Sequence, residues 1–237
     1  MSTTIEHNLR IVREKIRHAA AKRGKTGADI TLVAVTKTFP PEIISKAIAL
    51  GVQNIGENRV QEARQKFPEI REKVTRHMIG HLQKNKVKYA VRLFDMIQSV
   101  DSVSLAEEIN ARVATANLGK MPVLIQVNTS NEPQKSGCQI GEALVLLKAI
   151  DRLPNLIARG FMTVALFSDD PEKVRPCFKV LKKIYNSAET LTLERGKIDT
   201  LSMGMSADFE VAIEEGANMV RIGSAIFGER NSPVKYA

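Results

Sequence analysis

Lys37 closes the run ITLVAVTK (30–37), so an amine stands at the end of a nearly continuous apolar segment. An ammonium carried into a partly dry site loses hydration, which lowers its pKa and leaves a neutral amine able to attack an aldehyde. Two segments late in the chain suit an oxyanion. LSMGMS (201–206) brings the hydroxyls of Ser202 and Ser206 around Gly204, and RIGSAIFG (221–228) sets Gly223 and Ser224 where a strand turns into a helix. The first N–H groups of a helix lack intrahelical acceptors and lie at the positive end of its dipole, which favours a phosphate. An amine facing a phosphate cradle suggests pyridoxal 5′-phosphate held as a Schiff base. On the residues alone, a lysine that merely pairs with phosphate or a carboxylate is an equal alternative.

For these residues to meet, the elements between them must bring residue 37 and residues 202–224 to one rim. The spacing Ile5, Leu9, Val12, Ile16, Ala19, Ala20 predicts a leading amphipathic helix. Strands are then expected at 30–36, 52–57, 76–80, 93–100, 121–129, 156–164, 198–204 and 218–223. Helices are expected at 41–50, 58–67, 82–90, 102–116, 139–150, 171–191, 207–216 and from 224 onward. Strict alternation implies parallel strands with helical crossovers. An open doubly wound sheet is one solution, but eight repeats in a chain of 237 residues fit a closed (β/α)8 TIM barrel with an extra N-terminal helix. No linker-like run divides the chain, so residues 1–237 are expected to form one barrel domain. In such barrels the C-terminal strand ends carry the chemistry, which gathers Lys37, Asn58, Met162, Ser202, Arg221 and Gly223.

Composition narrows the function classes. The chain is 43% hydrophobic and 26% charged, ordinary for a globular protein. No apolar stretch is long enough for a transmembrane helix, and the charged N-terminus has no secretory core, so a cytoplasmic protein without a membrane partner is expected. Cys138 and Cys177 form no CxxC pair and read as inert thiols. His77 and His81 lack a third ligand, so no metal is expected and both read as structural or surface residues. Lys135 reads as solvated. The net charge is +9, with ten Lys/Arg against three Glu in residues 59–92. A basic nucleic-acid-binding protein is therefore a second alternative, but no zinc-finger spacing or aromatic stacking motif supports it, and solvated helix faces are the simpler reading.

The motifs AVTK (34–37), GENRVQE (56–62), IGHLQKNK (79–86), KSG (135–137), GFMT (160–163), LSMGMSADFEVAIEEG (201–216) and VRIGSAIFG (220–228) together resemble the pyridoxal phosphate homeostasis protein family, from about residue 5 to 230. The resemblance implies a barrel similar to the N-terminal domain of bacterial alanine racemase. It implies that Lys37 carries the cofactor, that Ser202, Ser206, Gly223 and Ser224 surround its phosphate, and that Arg221 faces the pyridine nitrogen. Asn58 is implied near the ring, with Met162 packed on it. Ser224 stands where threonine is common, and the hydroxyl is kept.

The same resemblance implies a protein that buffers pyridoxal phosphate or delivers it to apo-enzymes, with effects on amino-acid and keto-acid balance. A pyridoxal-phosphate-dependent amino-acid racemase is the first alternative. An arginine stays protonated, so Arg221 would hold the ring nitrogen as an acceptor and make the ring a weak electron sink. A racemase also needs acid–base groups on both faces of the substrate carbon, and alanine racemase takes one from a tyrosine of a second domain. Here the motifs end near Gly228, so no second domain is expected. Tyr89 and Tyr185 read as helix positions, and Tyr236 is terminal. No catalytic residue is assigned, and a monomer is expected.

Overall fold

Short runs rich in Val, Ile and Leu, separated by amphipathic segments, can bury both of their faces only inside a wall of helices. The computed structural model, which describes residues 2–228, shows that arrangement. The strands are β1 (Thr31–Val35), β2 (Asn54–Glu57), β3 (Thr75–Met78), β4 (Met96–Val100), β5 (Met121–Gln126), β6 (Leu156–Met162), β7 (Thr200–Ser202) and β8 (Met219–Ile222). All pair in parallel with their sequence neighbours, and β8 pairs with β1 to close the barrel.

Around them lie α1 (Ser2–Ala21), α2 (Pro41–Ala49), α3 (Val60–Lys66), α4 (Val87–Leu93), α5 (Val103–Ala116), α6 (Ala143–Asp151), α7 (Pro171–Glu189), α8 (Phe209–Glu214) and α9 (Ser224–Phe227). The leading helix α1 buries the predicted face, Ile5 through Ala20, and packs against α8 and α9. Lys15–Glu210 and Lys22–Glu214 ion pairs fix its outer edge.

Period-two alternation splits the strand residues between two cores. Ala34, Ile55, Met78, Ile97, Ile125, Leu201, Val220 and Ile222 join the apolar layer between strands and helices. The alternate residues, including Val33, Val35, His77, Gln98, Leu124, Gln126, Ser202 and Arg221, are buried but face the barrel axis. Gly160 shows how tightly the wall is drawn. Its φ is +145°, and a Cβ there would stand 1.8 Å from the Thr200 carbonyl oxygen.

Candidate functional site

The amine and the proposed oxyanion cradle share one end of the barrel. Residues Thr31 to Ala34 of β1 are in register with Met219 to Ile222 of β8, so Lys37 and Gly223 follow adjacent, hydrogen-bonded strands past their C-terminal ends. Lys37 continues the inward row of Val33 and Val35 and is half-buried. It occupies a tight turn in which the Phe39 N–H donates to the Thr36 carbonyl at 3.1 Å. The next residue, Thr38, has φ +70°, a conformation a β-branched residue adopts only at a cost.

On the neighbouring rim, the Ser206 hydroxyl oxygen accepts from the Gly223 N–H at 3.2 Å and the Ala225 N–H at 3.3 Å. That leaves the hydroxyl hydrogen of Ser206 to donate outward. Ser224 is exposed as the first residue of α9, where its N–H has no intrahelical acceptor. Gly223 lies against the wall, since a Cβ there would meet Val35 Cβ at 3.3 Å. Gly204 carries the loop through φ +94° above Phe209, and the Asp208 carboxylate accepts from the Met205 N–H at 2.5 Å to close it. Burial pushes the Asp208 carboxyl upward, against that bond and the pull of Arg221. The donor set facing this rim is hydroxyls and N–H groups, which suits a phosphate dianion.

Arg221 lies two residues below Gly223 on the inward face of β8. Its guanidinium is 3% exposed and donates to Ser202 Oγ at 2.7 Å and to the Thr163 carbonyl at 2.7 Å. Burial lowers its pKa to about 10, so it stays charged at neutral pH. Because arginine can only donate, it sets the direction of a chain of bonds through the barrel. Ser202 accepts from Arg221 and must pass its own hydrogen on, to Gln98 Oε1 at 2.7 Å. The amide nitrogen of Gln98 then faces His77 Nδ1 at 3.0 Å, and His77 Nε2 faces Asn54 Oδ1 at 3.1 Å. His77 is thereby the neutral tautomer with its proton on Nε2, and burial lowers its pKa to about 4.

A second polar group lies behind Lys37, between β1, β2 and α3. Lys66 is 1% exposed, donates to Glu57 at 2.7 Å and to the carbonyls of Thr36 at 2.8 Å and Phe39 at 3.0 Å, and is ion-paired with Glu62 at 2.6 Å. Thr36 Oγ1 donates to Glu57 at 2.6 Å, and the strained Thr38 N–H donates to Glu62. Burial outweighs the ion pair at Glu57 and raises its carboxyl to about 7, with Glu62 adding to the rise. Its second oxygen, Oε2, has no hydrogen-bond partner among the described residues.

The predicted residues thus divide. Lys37, Arg221, Ser206, Gly223 and Ser224 converge on adjoining strand ends. Met162 is fully buried at the end of β6, in register with Ser202. Asn58 is half-buried after β2, its carbonyl packed where a Cβ on Gly80 would lie 2.3 Å away. Ser202 is drawn away from the rim into the chain beneath Arg221. Lys135, expected in solvent, instead ties two rim loops together by donating to Glu132 at 3.0 Å and to the Ala165 carbonyl at 2.9 Å. His81 is exposed, with Asp101 at 3.7 Å. Burial raises the Cys138 thiol to about 12, which makes it inert. Tyr89 and Tyr185 lie in α4 and α7, and Tyr236 falls outside the described residues. Gln98, Asn54, Glu62 and Lys66 were missed as parts of the site. Their one signal in the sequence is the inward parity of 54 and 98 and the i,i+4 spacing of 62 and 66.

Comparison with known proteins gives a consistent result. The model of the alanine racemase N-terminal domain matches residues 2–231. The chain is 41% identical over 231 residues to the pyridoxal phosphate homeostasis protein of Escherichia coli strain K12, covering 96% of this chain and 97% of that one. It is 38% identical over 234 residues to the protein of the same name from Vibrio alginolyticus, covering 97% and 99%. The structure of PipY from Synechococcus elongatus PCC7942 with pyridoxal phosphate bound superposes with a TM-score of 0.79 at 30% identity, covering 92% of this chain and 100% of PipY. Alanine racemase from Corynebacterium glutamicum shares the fold, with a TM-score of 0.74 at 17% identity, and this chain covers 62% of it.

Proposed function

The chain belongs to the alanine racemase N-terminal-domain family, and within it to the pyridoxal phosphate homeostasis proteins, and from that premise we propose that it holds pyridoxal 5′-phosphate on Lys37 and releases it to apo-enzymes. The observation that carries this reading is the placement of Lys37 and the Ser206–Gly223–Ser224 cradle on neighbouring strand ends, with the Arg221 guanidinium fixed just below. When bound, the cofactor would supply an aldehyde open to reversible condensation, with loss of water, by the amine that Lys37 presents.

The residues present fit that group. The outward hydroxyl hydrogen of Ser206 and the hydroxyl and backbone N–H of Ser224 would bind the phosphate, with Gly223, whose N–H is held by Ser206, lining the cradle. Arg221, charged and fixed just below the rim, would offer a donor to the ring nitrogen, while Ser202 would hold Arg221 rather than touch phosphate. Asn58 would border the ring, and Met162, fully buried at the end of β6, would back the site from beneath the rim. A ring nitrogen that accepts from arginine is a poor electron sink, which favours a carrier over a racemase. Part of the basic excess is already neutralised, since Lys66 is internal and Arg175 pairs with Glu172, Glu214 and Glu215. Nucleic acid is therefore not the partner we assign. Among the described residues no helix is long and apolar enough to cross a membrane.

Borohydride reduction of the loaded protein followed by peptide mapping tests the anchor. Modification is expected at Lys37, and an unmodified Lys37 would overturn the assignment. Incubation with amino acids in heavy water separates carrier from enzyme. Rapid exchange of the α-proton, lost in Lys37→Ala, would favour a racemase-type activity.

A further inference from the structure

We infer that Glu62, braced by Lys66, is a positioning residue for Lys37, and that it acts by holding Thr38 in its left-handed conformation. The inference rests on Lys37 being the anchoring amine. Each residue flanking Lys37 is tied to the same buried cluster. Thr36 is held through its hydroxyl by Glu57 and through its carbonyl by Lys66. The Thr38 N–H is held by Glu62, and the Phe39 carbonyl by Lys66 at 3.0 Å. These contacts lie on the helix side of the wall, while Lys37 continues the inward row. The cluster therefore braces the turn from behind.

The turn needs such bracing. The Phe39 N–H to Thr36 carbonyl bond makes Lys37 and Thr38 the two central residues of a four-residue turn. A φ of +70° at the second central position is where glycine or asparagine is usual, and threonine resists it. A threonine left to itself would relax to negative φ, and the adjoining peptide would rotate, swinging Lys37 off the inward row. Glu62 opposes that relaxation with a charge-assisted bond to the one backbone donor that moves. Lys66 keeps the Glu62 carboxylate aimed, at 2.6 Å, with both side chains buried. A purely structural ion pair would have no reason to converge on Thr36, Thr38 and Phe39, the three residues that share the turn with the amine.

The test exploits the strain. Glycine takes positive φ at little cost, so Thr38→Gly should remove the need for Glu62. Pyridoxal phosphate is mixed with the full chain, and the rate of adduct formation at Lys37 is followed by absorbance and confirmed by borohydride mapping. Glu62→Ala should slow capture roughly five- to hundredfold, the range set by the cost of such a backbone conformation. Thr38→Gly combined with Glu62→Ala should regain most of the loss. Exchange of the Thr38 amide hydrogen, which needs no cofactor, should speed up in Glu62→Ala. If the alanine variant does not fold, Glu62→Gln keeps the volume with a weaker acceptor and should show a smaller loss with the same rescue. Capture at the wild-type rate in both glutamate variants, or no rescue by glycine in a folded variant, would overturn the inference. A wild-type chain that forms no adduct at Lys37 would instead remove the anchor on which it rests.

Discussion

His77 and Glu57 sit within the same barrel, and burial shifts both in ways that make their effects on stability cancel. His77 is held neutral with a pKa of about 4 against an ordinary 6.5. Folded His77 therefore lacks a proton that the unfolded chain takes up, so stability is full above about 6.5 and falls as the pH drops toward 4. Glu57 titrates at about 7 against an ordinary 4.5. Folded Glu57 keeps a proton that the unfolded chain has lost, so its contribution is full below 4.5 and fades as pH rises through 7. Each displacement is worth about 3 kcal/mol at about 1.36 kcal/mol per pH unit, of which about 2 kcal/mol falls between pH 4.5 and 6.5. Over that window the two proton counts are opposite and the slopes offset.

Substitution exposes either slope alone. His77→Gln can still accept from Gln98 and donate to Asn54, and Glu57→Gln still accepts from Thr36. Urea melts of the cofactor-free chain at pH 4.5 and 6.5 are the assay. Relative to wild type, His77→Gln should gain about 2 kcal/mol at pH 4.5 over pH 6.5, and Glu57→Gln should lose about as much. A His77→Gln slope equal to that of wild type would refute the claim that burial holds the imidazole neutral. A Glu57→Gln slope equal to that of wild type would refute the raised carboxyl.

Two further outcomes follow from the geometry. Ser206→Ala removes the acceptor of the Gly223 and Ala225 N–H groups and the outward donor; pyridoxal phosphate affinity, measured by equilibrium dialysis, should fall about tenfold with little change in capture by phosphate-free pyridoxal. Gly160→Ala would drive a Cβ to within 1.8 Å of the Thr200 carbonyl at a φ suited to glycine; thermal melts should show destabilisation by several kcal/mol, on the order of ~3, or no folded protein.

The barrel was legible because its signal is local. Each strand reads as a short apolar run and each helix as a 3.6-residue period, and the closed order of eight follows from their alternation. The ends were less legible. The segment 93–100 contributes a strand only from Met96, because α4 continues through Leu93, and 198–204 shrinks to Thr200–Ser202. Lys37 and the 206–224 cradle could be read because glycines, hydroxyls and an amine at strand ends are visible one segment at a time. The chain from Arg221 to Asn54 was hidden for the opposite reason. Its members come from five strands, and no spacing in sequence states that 54, 77, 98, 202 and 221 share an axis. Lys66 was counted with the basic residues of 59–92 because charge normally means exposure, and what overturned that rule was one carboxylate from its own helix together with a carboxylate and two carbonyls from other elements.

Pairing of β8 with β1 leaves the sheet without a free margin. An open sheet can recruit another protein by lending it an unpaired strand, and this cylinder has none to lend. A protein partner of this barrel would therefore have to meet it through the loops of the rim or the outer helices, by side-chain complementarity rather than by a shared ladder.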